Sequence, residues 1–415
     1  MKNNMLTFLV LVFSISAFSN DEVIKFNEGS ATSFDEMLRN SISNGKEYQS
    51  LLYMMQSDIE LLKNRDIFIE SSVLNYSKDL LNSSSSNNLR LTTSLNLYRD
   101  GKESEYSEYY NRYKLSVLAL DEFMAKKLSD AYRVLSDIYY CDYIINKLNF
   151  NKDESESLLD RIKIQVDNGL IEGRSLLISE SIKDTITTTL NRIESIKSTK
   201  VNELQLVLGL HELNGFPYEM YKPLDYSTMP IIVSDIKNKY VYANQERARI
   251  SSLVERDRSD SDDPLYSVDF RFNVNKTPNY AAKFDYQGLL SVNVNLFKAE
   301  NSRQALSSAN KYLSRVEMAK FYKFKYENMY VETVNSLNNS KIRLNDLMTL
   351  ISGKEKLLED MYLKYDNGNV NLFEIASIHT DISATYELLQ VEVEKLDSAY
   401  YGFVGTLVRR SEWKN

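Results

Sequence analysis

Apolar and polar residues alternate in two neighbouring segments of the second half of the chain. The apolar positions are Tyr266, Val268, Phe270, Phe272 and Val274, then Leu290, Val292, Val294 and Leu296. The first half repeats the pattern at Leu89, Leu91, Leu95 and Leu97, and more weakly at Ile67, Ile69 and Val73. A period of two places apolar side chains on one face of a strand. We therefore predict strands at about 65–76, 89–98, 265–275 and 286–297.

A long segment without proline follows each strand pair, at 99–163 and 298–364. Proline is the strongest helix breaker, so both segments can form single helices of about 100 Å each. The second segment has apolar residues at alternating a and d heptad positions: Leu337, Leu344, Leu347, Ile351, Leu358, Met361 and Tyr365. This spacing predicts packing as a coiled coil.

The sequence Asp-Asn-Gly ends both long segments, at Gly169 and at Gly368. Asn and Gly tolerate the left-handed conformation that commonly terminates helices. We expect a helix break at each glycine. A returning helix then follows, at about 175–208 in the first half and at about 371–407 in the second.

The two halves match without a gap at a constant offset of 199 positions. Asn96–Arg99 corresponds to Asn295–Lys298, and Asp167–Gly169 corresponds to Asp366–Gly368. Several matches in one register indicate an internal duplication. Each copy begins with a predicted helix, at Ser33 to about Lys63 and at about Ser234 to Arg256.

These features predict five segments along the chain. A basic residue, a short apolar run and a small-residue cleavage site predict a signal peptide at 1–19. The first repeat occupies 20–208 and the second 236–408. Three prolines indicate a linker at 209–235, and 409–415 is a short tail.

Composition excludes several classes of protein. The net charge of −8 disfavours nucleic acid as a partner, because phosphate binding needs a basic surface. One cysteine, Cys141, rules out an intramolecular disulfide and predicts a buried helical thiol. Two distant histidines, His211 and His379, are expected to be ordinary helix or linker residues. We therefore predict no enzyme activity, no cofactor and no metal site. Charged residues are scattered, which predicts solvated helix faces.

The four predicted strands cannot form a stable sheet alone, because an open ribbon leaves bare edges. An apolar face opposite a polar one suits a barrel with lipid outside and water inside. Four strands are too few for such a barrel, so several copies would have to share it. A soluble β-sandwich joined to a coiled coil is the alternative interpretation.

The duplicated order of helix, strand pair, long helix, glycine break and returning helix resembles the TolC family of outer-membrane channel proteins. The similarity extends over nearly the whole mature chain. Its most specific parts are the strand-to-helix passages 94–98 and 293–297, the helical segment Ala131–Leu135, and Tyr365–Gly368 at the second break. The resemblance implies a mainly α-helical chain with a membrane β-barrel portion. Three copies would form a twelve-stranded β-barrel that continues as a periplasmic α-helical barrel.

The resemblance also implies a function and its partners. Members of the family form the exit duct of tripartite efflux pumps or of type I secretion systems. They reside in the outer membrane with a long periplasmic extension. They act as homotrimers with a periplasmic adaptor protein and an inner-membrane transporter of the RND or ABC type. A non-channel coiled-coil structural or adhesive protein of the cell envelope is the competing hypothesis. The sequence leaves open the cargo, the choice between efflux and secretion, the identity of the partners, and whether the tip is open or closed.

Six residues near the helix breaks are candidates for the periplasmic channel entrance. By position after the second glycine, Glu374 matches the first acidic ring of the family, and Ser377 stands where the second would be. Such carboxylate rings attract cations. Glu374 also lies three residues after Asn371, so it is equally a candidate for a helix cap.

The family's polar network around a tip tyrosine is altered in this sequence. Tyr365 matches that tyrosine, but Ser175 replaces its acidic partner and Val370 replaces a neighbouring arginine. Arg174 together with Glu172 is the candidate substitute. Tyr365 is also a heptad core position, which favours a simple packing role.

Overall fold

The computed structural model describes ten segments of the chain. They are residues 32–63, 69–78, 87–99, 102–210, 216–237, 239–261, 266–276, 284–294, 299–366 and 371–409. The predicted signal peptide, His211, Gly368 and all but the first residue of the predicted tail lie outside them.

Eight helices and six strands are assigned in these segments. The helices are α1 Thr32–Ser43, α2 Lys46–Lys63, α3 Lys102–Asp167, α4 Arg174–Leu208, α5 Met229–Ile236, α6 Ala243–Ser261, α7 Ala299–Asp366 and α8 Leu372–Val404. The strands are β1 Ile69–Lys78, β2 Asn87–Arg99, β3 Tyr240–Tyr242, β4 Tyr266–Lys276, β5 Phe284–Val294 and β6 Leu407–Arg409. A short 3-10 helix spans Tyr218–Met220.

The four long strands form one antiparallel sheet in the order β1-β2-β4-β5. Phe270 on β4 lies opposite Leu95 on β2 and Leu290 on β5. Directly opposed residues share a face, so the apolar positions of the three strands lie on the same side of the sheet. The strands of both repeats are thus neighbours, and β1 and β5 are the edges of this sheet.

Helices α3 and α7 confirm the two long helices predicted from the sequence. They contain 66 and 68 residues and end at Asp167 and Asp366, which are 199 positions apart. In α7 the heptad positions Leu337, Leu344 and Leu358 are buried. Within the described residues, no helix combines the length and the apolarity that crossing a membrane requires.

The first predicted break forms at Gly169, whose φ is 69°. The Gly169 N–H donates to the Val166 carbonyl, and the Leu170 N–H donates to the Gln165 carbonyl, both at 2.9 Å. This pair of bonds is the Schellman motif, which satisfies carbonyls at the end of a helix. A side chain at Gly169 would be strained, because only glycine adopts a positive φ without a steric cost. The second predicted break, Gly368, lies outside the described residues.

Two helices that we predicted as continuous are interrupted in the structure. The helix expected over Ser33–Lys63 is interrupted at Asn44 and Gly45, two residues of low helix propensity. The helix expected over Ser234–Arg256 is divided by β3. The predicted linker contains α5, because Pro230 lies in the first turn, where the missing N–H is not needed.

The chain divides into two compact units, each made of segments from both sequence repeats. The first unit comprises residues 1–43, 124–240 and 328–415, and the second comprises 44–123 and 241–327. In the first unit α4 packs along α8. The second unit contains the four-stranded sheet. There the buried Asp257 carboxylate accepts hydrogen bonds from Ser107 at 2.7 Å and Asn111 at 2.8 Å.

More polar and charged groups are buried than we expected from the scattered charges of the sequence. Cys141 is buried as predicted, and burial raises the pKa of its thiol to about 12. The expectation of solvated charges is wrong for Asp137, Lys200 and Asp397, all of which are buried in the first unit. In the sequence these buried charged residues are spaced like exposed ones. Their burial depends on which helix packs against them, and local sequence does not show that.

Candidate functional site

The predicted entrance residues belong to the helix ends of the first unit. Helix α3 ends at Asp167 and α4 begins at Arg174, while α7 ends at Asp366 and α8 begins at Leu372. The connection between α3 and α4 is therefore only six residues long. A short connection between long helices brings their ends close together, so the side chains in and beside these turns are the candidate site.

Glu374 lies in the first turn of α8 and is exposed. Asn371 is the N-cap residue, and its Oδ1 accepts a hydrogen bond from the Glu374 N–H at 3.1 Å. The bond to the cap comes from the backbone of Glu374, which leaves its carboxylate in solvent. A carboxylate in the first turn is also favourable beside the positive end of the helix dipole. The cap and an exposed charge are thus compatible at this position.

Arg174 contacts a residue that the sequence did not single out. Its guanidinium carbon lies 4.9 Å from the centre of the Phe373 ring, a cation–π contact between the starts of α4 and α8. The exposed residue Glu172 accepts a hydrogen bond through its backbone carbonyl from the Ser175 N–H at 3.0 Å. Arg174 thus contacts an aromatic ring, and its predicted role with Glu172 in a substitute polar network stays a prediction.

The remaining described candidates come from three different helices. Tyr365 is half-buried near the end of α7, and Ser175 is half-buried in the first turn of α4. Ser377 is exposed on α8. Val370 and Gly368 lie outside the described residues. The arrangement around Tyr365 thus stays a prediction.

A buried polar pair joins α7 to α8 close to the candidate site. The Tyr362 hydroxyl and His379 Nε2 are 2.7 Å apart. Burial lowers the pKa of His379 to about 4, so its imidazole is neutral near pH 7. This pair could not be predicted from local sequence, because the two residues come from different helices. The expectation that His379 is an ordinary helix residue agrees with this packed position.

Further along the same helices, Glu355 connects three elements. Its carboxylate accepts hydrogen bonds from Lys147 of α3 at 3.2 Å and from the Tyr386 hydroxyl of α8 at 2.7 Å. Such bridges fix the relative position of α3, α7 and α8 above the helix ends. Among the described residues, no three histidine, cysteine or acidic side chains could together hold a metal ion. The site thus combines the exposed Glu374 carboxylate at the start of α8, the Phe373 ring on the same helix, and the Arg174 guanidinium at the start of α4.

Comparison with solved structures identifies the fold. A membrane protein from Pseudomonas aeruginosa matches with a TM-score of 0.71 at 10% identity, covering 91% of this chain and 92% of that chain. The outer membrane protein VceC from Vibrio cholerae matches with a TM-score of 0.69 at 10% identity, covering 90% and 96%. The CmeC outer membrane channel of Campylobacter jejuni matches with a TM-score of 0.64 at 12% identity, covering 96% and 92%.

The chain has the TolC-family fold. The mainly α-helical TolC-like fold predicted from the sequence is therefore confirmed, while the shared barrel of three copies stays a prediction. The match extends over nearly the full length of the solved proteins. No protein-family model matches the sequence. The search of curated proteins also gave no match. At identities of 10 to 13% the TolC-family fold is recognisable in the order and length of the elements rather than in individual residues.

Proposed function

We propose that this chain is one subunit of a passive outer-membrane export duct. In this proposal three copies each contribute β1, β2, β4 and β5 to a twelve-stranded barrel in the outer membrane. The long helices of the three copies continue the duct into the periplasm. A periplasmic adaptor and an inner-membrane transporter supply the cargo and the energy. The chain itself performs no chemistry.

The observation that carries the proposal is the sheet. Opposed apolar residues of β2, β4 and β5 share one face, and the edge strands β1 and β5 come from different repeats. An apolar face on a sheet with two edges is unfavourable for a single chain in water. Pairing β5 of one copy with β1 of the next would remove every edge and give the apolar face to lipid.

A second observation supports association of several copies. The first part of α7 has four large apolar side chains on one side: Leu306, Leu313, Phe321 and Phe324. Leu306 is 63% exposed and Phe324 is 61% exposed. The opposite side of the same helix is packed, since Ser308 and Tyr326 are buried. Each such side chain gains about 2 kcal/mol when a neighbour covers it. A second copy of the chain is the partner that the proposal requires here.

The helix ends support docking of a further protein. Leu170, Leu177 and Phe373 are exposed apolar residues in and beside the turns that begin α4 and α8. Exposed apolar residues clustered at one end of helices are typical of an interaction site. In the proposed duct this end is the periplasmic entrance, where Glu374, Ser377, Tyr365, Ser175, Arg174 and Glu172 line the opening and the adaptor binds.

Association of the copies can be tested with one charge on α7. We expect Phe324→Glu to convert the detergent-solubilised complex from three chains to one, because the variant places a carboxylate where apolar contact is required. The measurement is the protein mass by light scattering after detergent correction. Gln304→Glu is the matched control, since it adds the same charge two residues before Leu306, on the opposite side of the helix.

Three results would oppose the proposal. A monomeric parent protein would contradict the assembly of three copies. A Phe324→Glu variant that stays trimeric would remove α7 from the interface. A mature chain that is soluble and monodisperse without detergent would instead favour a coiled-coil structural protein of the cell envelope.

A further inference from the structure

A fully buried carboxyl lies in the first compact unit, far along α8 from the candidate entrance. Asp397 has no exposed surface, and the uncharged hydroxyl of Ser136 is the side-chain hydrogen-bonding group beside its carboxyl. An ionised carboxylate in such a place is very unfavourable, whereas a protonated one is a small neutral group. The geometry thus suits Asp397 only in its protonated form.

The cations that face Asp397, Arg133 and Lys200, favour its negative charge only in part. Asp137 of α3 is a second buried acid beside it, and it raises the cost of ionising Asp397. Lys200 of α4 is already paired, with its Nζ 2.8 Å from Asp137 Oδ2 and 2.8 Å from Glu394 Oε1. Arg133 Nη1 lies 3.9 Å from Asp137 Oδ2. Both cations are therefore engaged by other acids.

Tyrosines complete the surroundings of Asp397, and two of them come from the same short segment. The tyrosines that interact electrostatically with Asp397 are Tyr140, Tyr221, Tyr226 and Tyr401. We call residues 216–228, which supply Tyr221 and Tyr226, the connector. The connector contains one three-residue 3-10 helix and follows the end of the first repeat.

Aromatic contacts hold the connector against the long helices. The Tyr221 ring centre lies 6.0 Å from that of Tyr132, and the Tyr226 ring centre lies 5.4 Å from that of Tyr140. The Tyr221 and Tyr401 hydroxyls are 3.1 Å apart. The connector has little regular structure, whereas its neighbours are helices of 66 and 33 residues. It is the element that opens at least cost.

We propose that Asp397 makes docking of the connector proton-dependent, so that the connector covers the protonated acid and opens to water when the proton is lost. The proposal does not depend on the channel function. Burial, and after it Asp137, raise the pKa of Asp397 well above its ordinary value, which is consistent with this role. A group with a raised folded pKa stabilises the packed state at low pH and loses that contribution as pH rises through the folded value.

Chymotrypsin cleavage after Tyr221 and Tyr226 tests the proposal on the full mature chain. Both tyrosines lie in the packed connector, so cleavage reports its opening. We expect the cleavage rate of the parent protein, divided by that of Asp397→Asn, to be near one at low pH. Above the pKa of Asp397 this ratio should rise about tenfold per pH unit, because one proton is linked to opening. The ratio cancels the pH dependence of the protease.

A second variant keeps the test decisive if Asp397→Asn folds poorly. Asp137→Asn removes the neighbouring acid and so lowers the pKa of Asp397. The pH-dependent rise in the cleavage rate should therefore begin at a lower pH in this variant than in the parent protein. Far-UV circular dichroism confirms that each variant is folded. The proposal would be overturned if the cleavage rate of the parent protein followed the protease's own pH profile. It would also be overturned if the rise in cleavage began at the same pH in Asp137→Asn as in the parent protein.

Discussion

At the scale of single residues, the sequence predicted caps and turns better than partners. Gly169 acts through its own backbone, and the Asn371 side chain bonds to a backbone N–H three residues later, so local sequence was sufficient to predict both. Arg174 and Glu172 were predicted together to substitute for the family's polar network, which stays a prediction, and the contact of Arg174 with the Phe373 ring on another helix was not foreseen. Asp397 gave no signal at all, because burial of an acid depends on helices far away in the chain.

Glu374 is the residue whose two roles can be separated. We expect Glu374→Gln to lower the cation selectivity of the reconstituted pore, because the variant removes a carboxylate from each copy. Its stability should stay within about 0.5 kcal/mol of the parent, since the backbone N–H still bonds to Asn371. The measurements are the reversal potential in a salt gradient and the denaturant midpoint.

Asn371→Ala is the matched control for this pair of roles. It removes the side-chain cap and should cost about 1 kcal/mol of stability while leaving the selectivity unchanged. If Glu374→Gln instead lost stability and kept the parent selectivity, Glu374 would be a structural residue of the helix start and not part of an entrance.

At the scale of elements, long periodic segments were predicted closely and short ones were not. Helices α3, α4, α7 and α8 begin and end within a few residues of the predicted positions. Heptad spacing and the absence of proline extend over many turns there, so the signal accumulates. The short elements α5 and β3 were missed. In α5 a proline in the first turn resembles a helix breaker in the sequence.

Close packing between α3 and the end of α8 depends on one glycine. A Cβ added at Gly405 would lie 2.9 Å from Ser129 Cβ, and the Ser129 hydroxyl already contacts the Tyr401 carbonyl. We expect Gly405→Ala to lower the free energy of unfolding by about 1–3 kcal/mol through overpacking. Denaturant unfolding followed by circular dichroism measures this change.

The same substitution on α7 provides the control. Gly353 lies within the helix, and an added Cβ would meet no atom within 4 Å. Gly353→Ala should therefore stabilise the protein by up to about 1 kcal/mol, through helix propensity alone. Equal effects of the two substitutions would mean that the contact at Ser129 does not limit the approach of the helices.

At the scale of the whole molecule, the sequence predicted the fold and an association of copies, but not the surface through which the copies would associate. The duplicated order of elements was sufficient to indicate the TolC-family fold, which the solved channels share over more than 90% of their length. The exposed apolar side of α7, at 306–324, was not foreseen, because the heptad pattern covers only the later part of the helix, from Leu337 to Tyr365. Which residues remain uncovered is known only once the helices have packed.

The central claim is that several copies of this chain enclose a water-filled pore. Single-channel recording in planar lipid bilayers tests it directly, using the purified mature protein with Phe324→Glu as the non-assembling control. We predict discrete, stable conductance steps for the parent protein and none for the variant. The absence of conductance from a folded parent protein that inserts into the bilayer would contradict the claim.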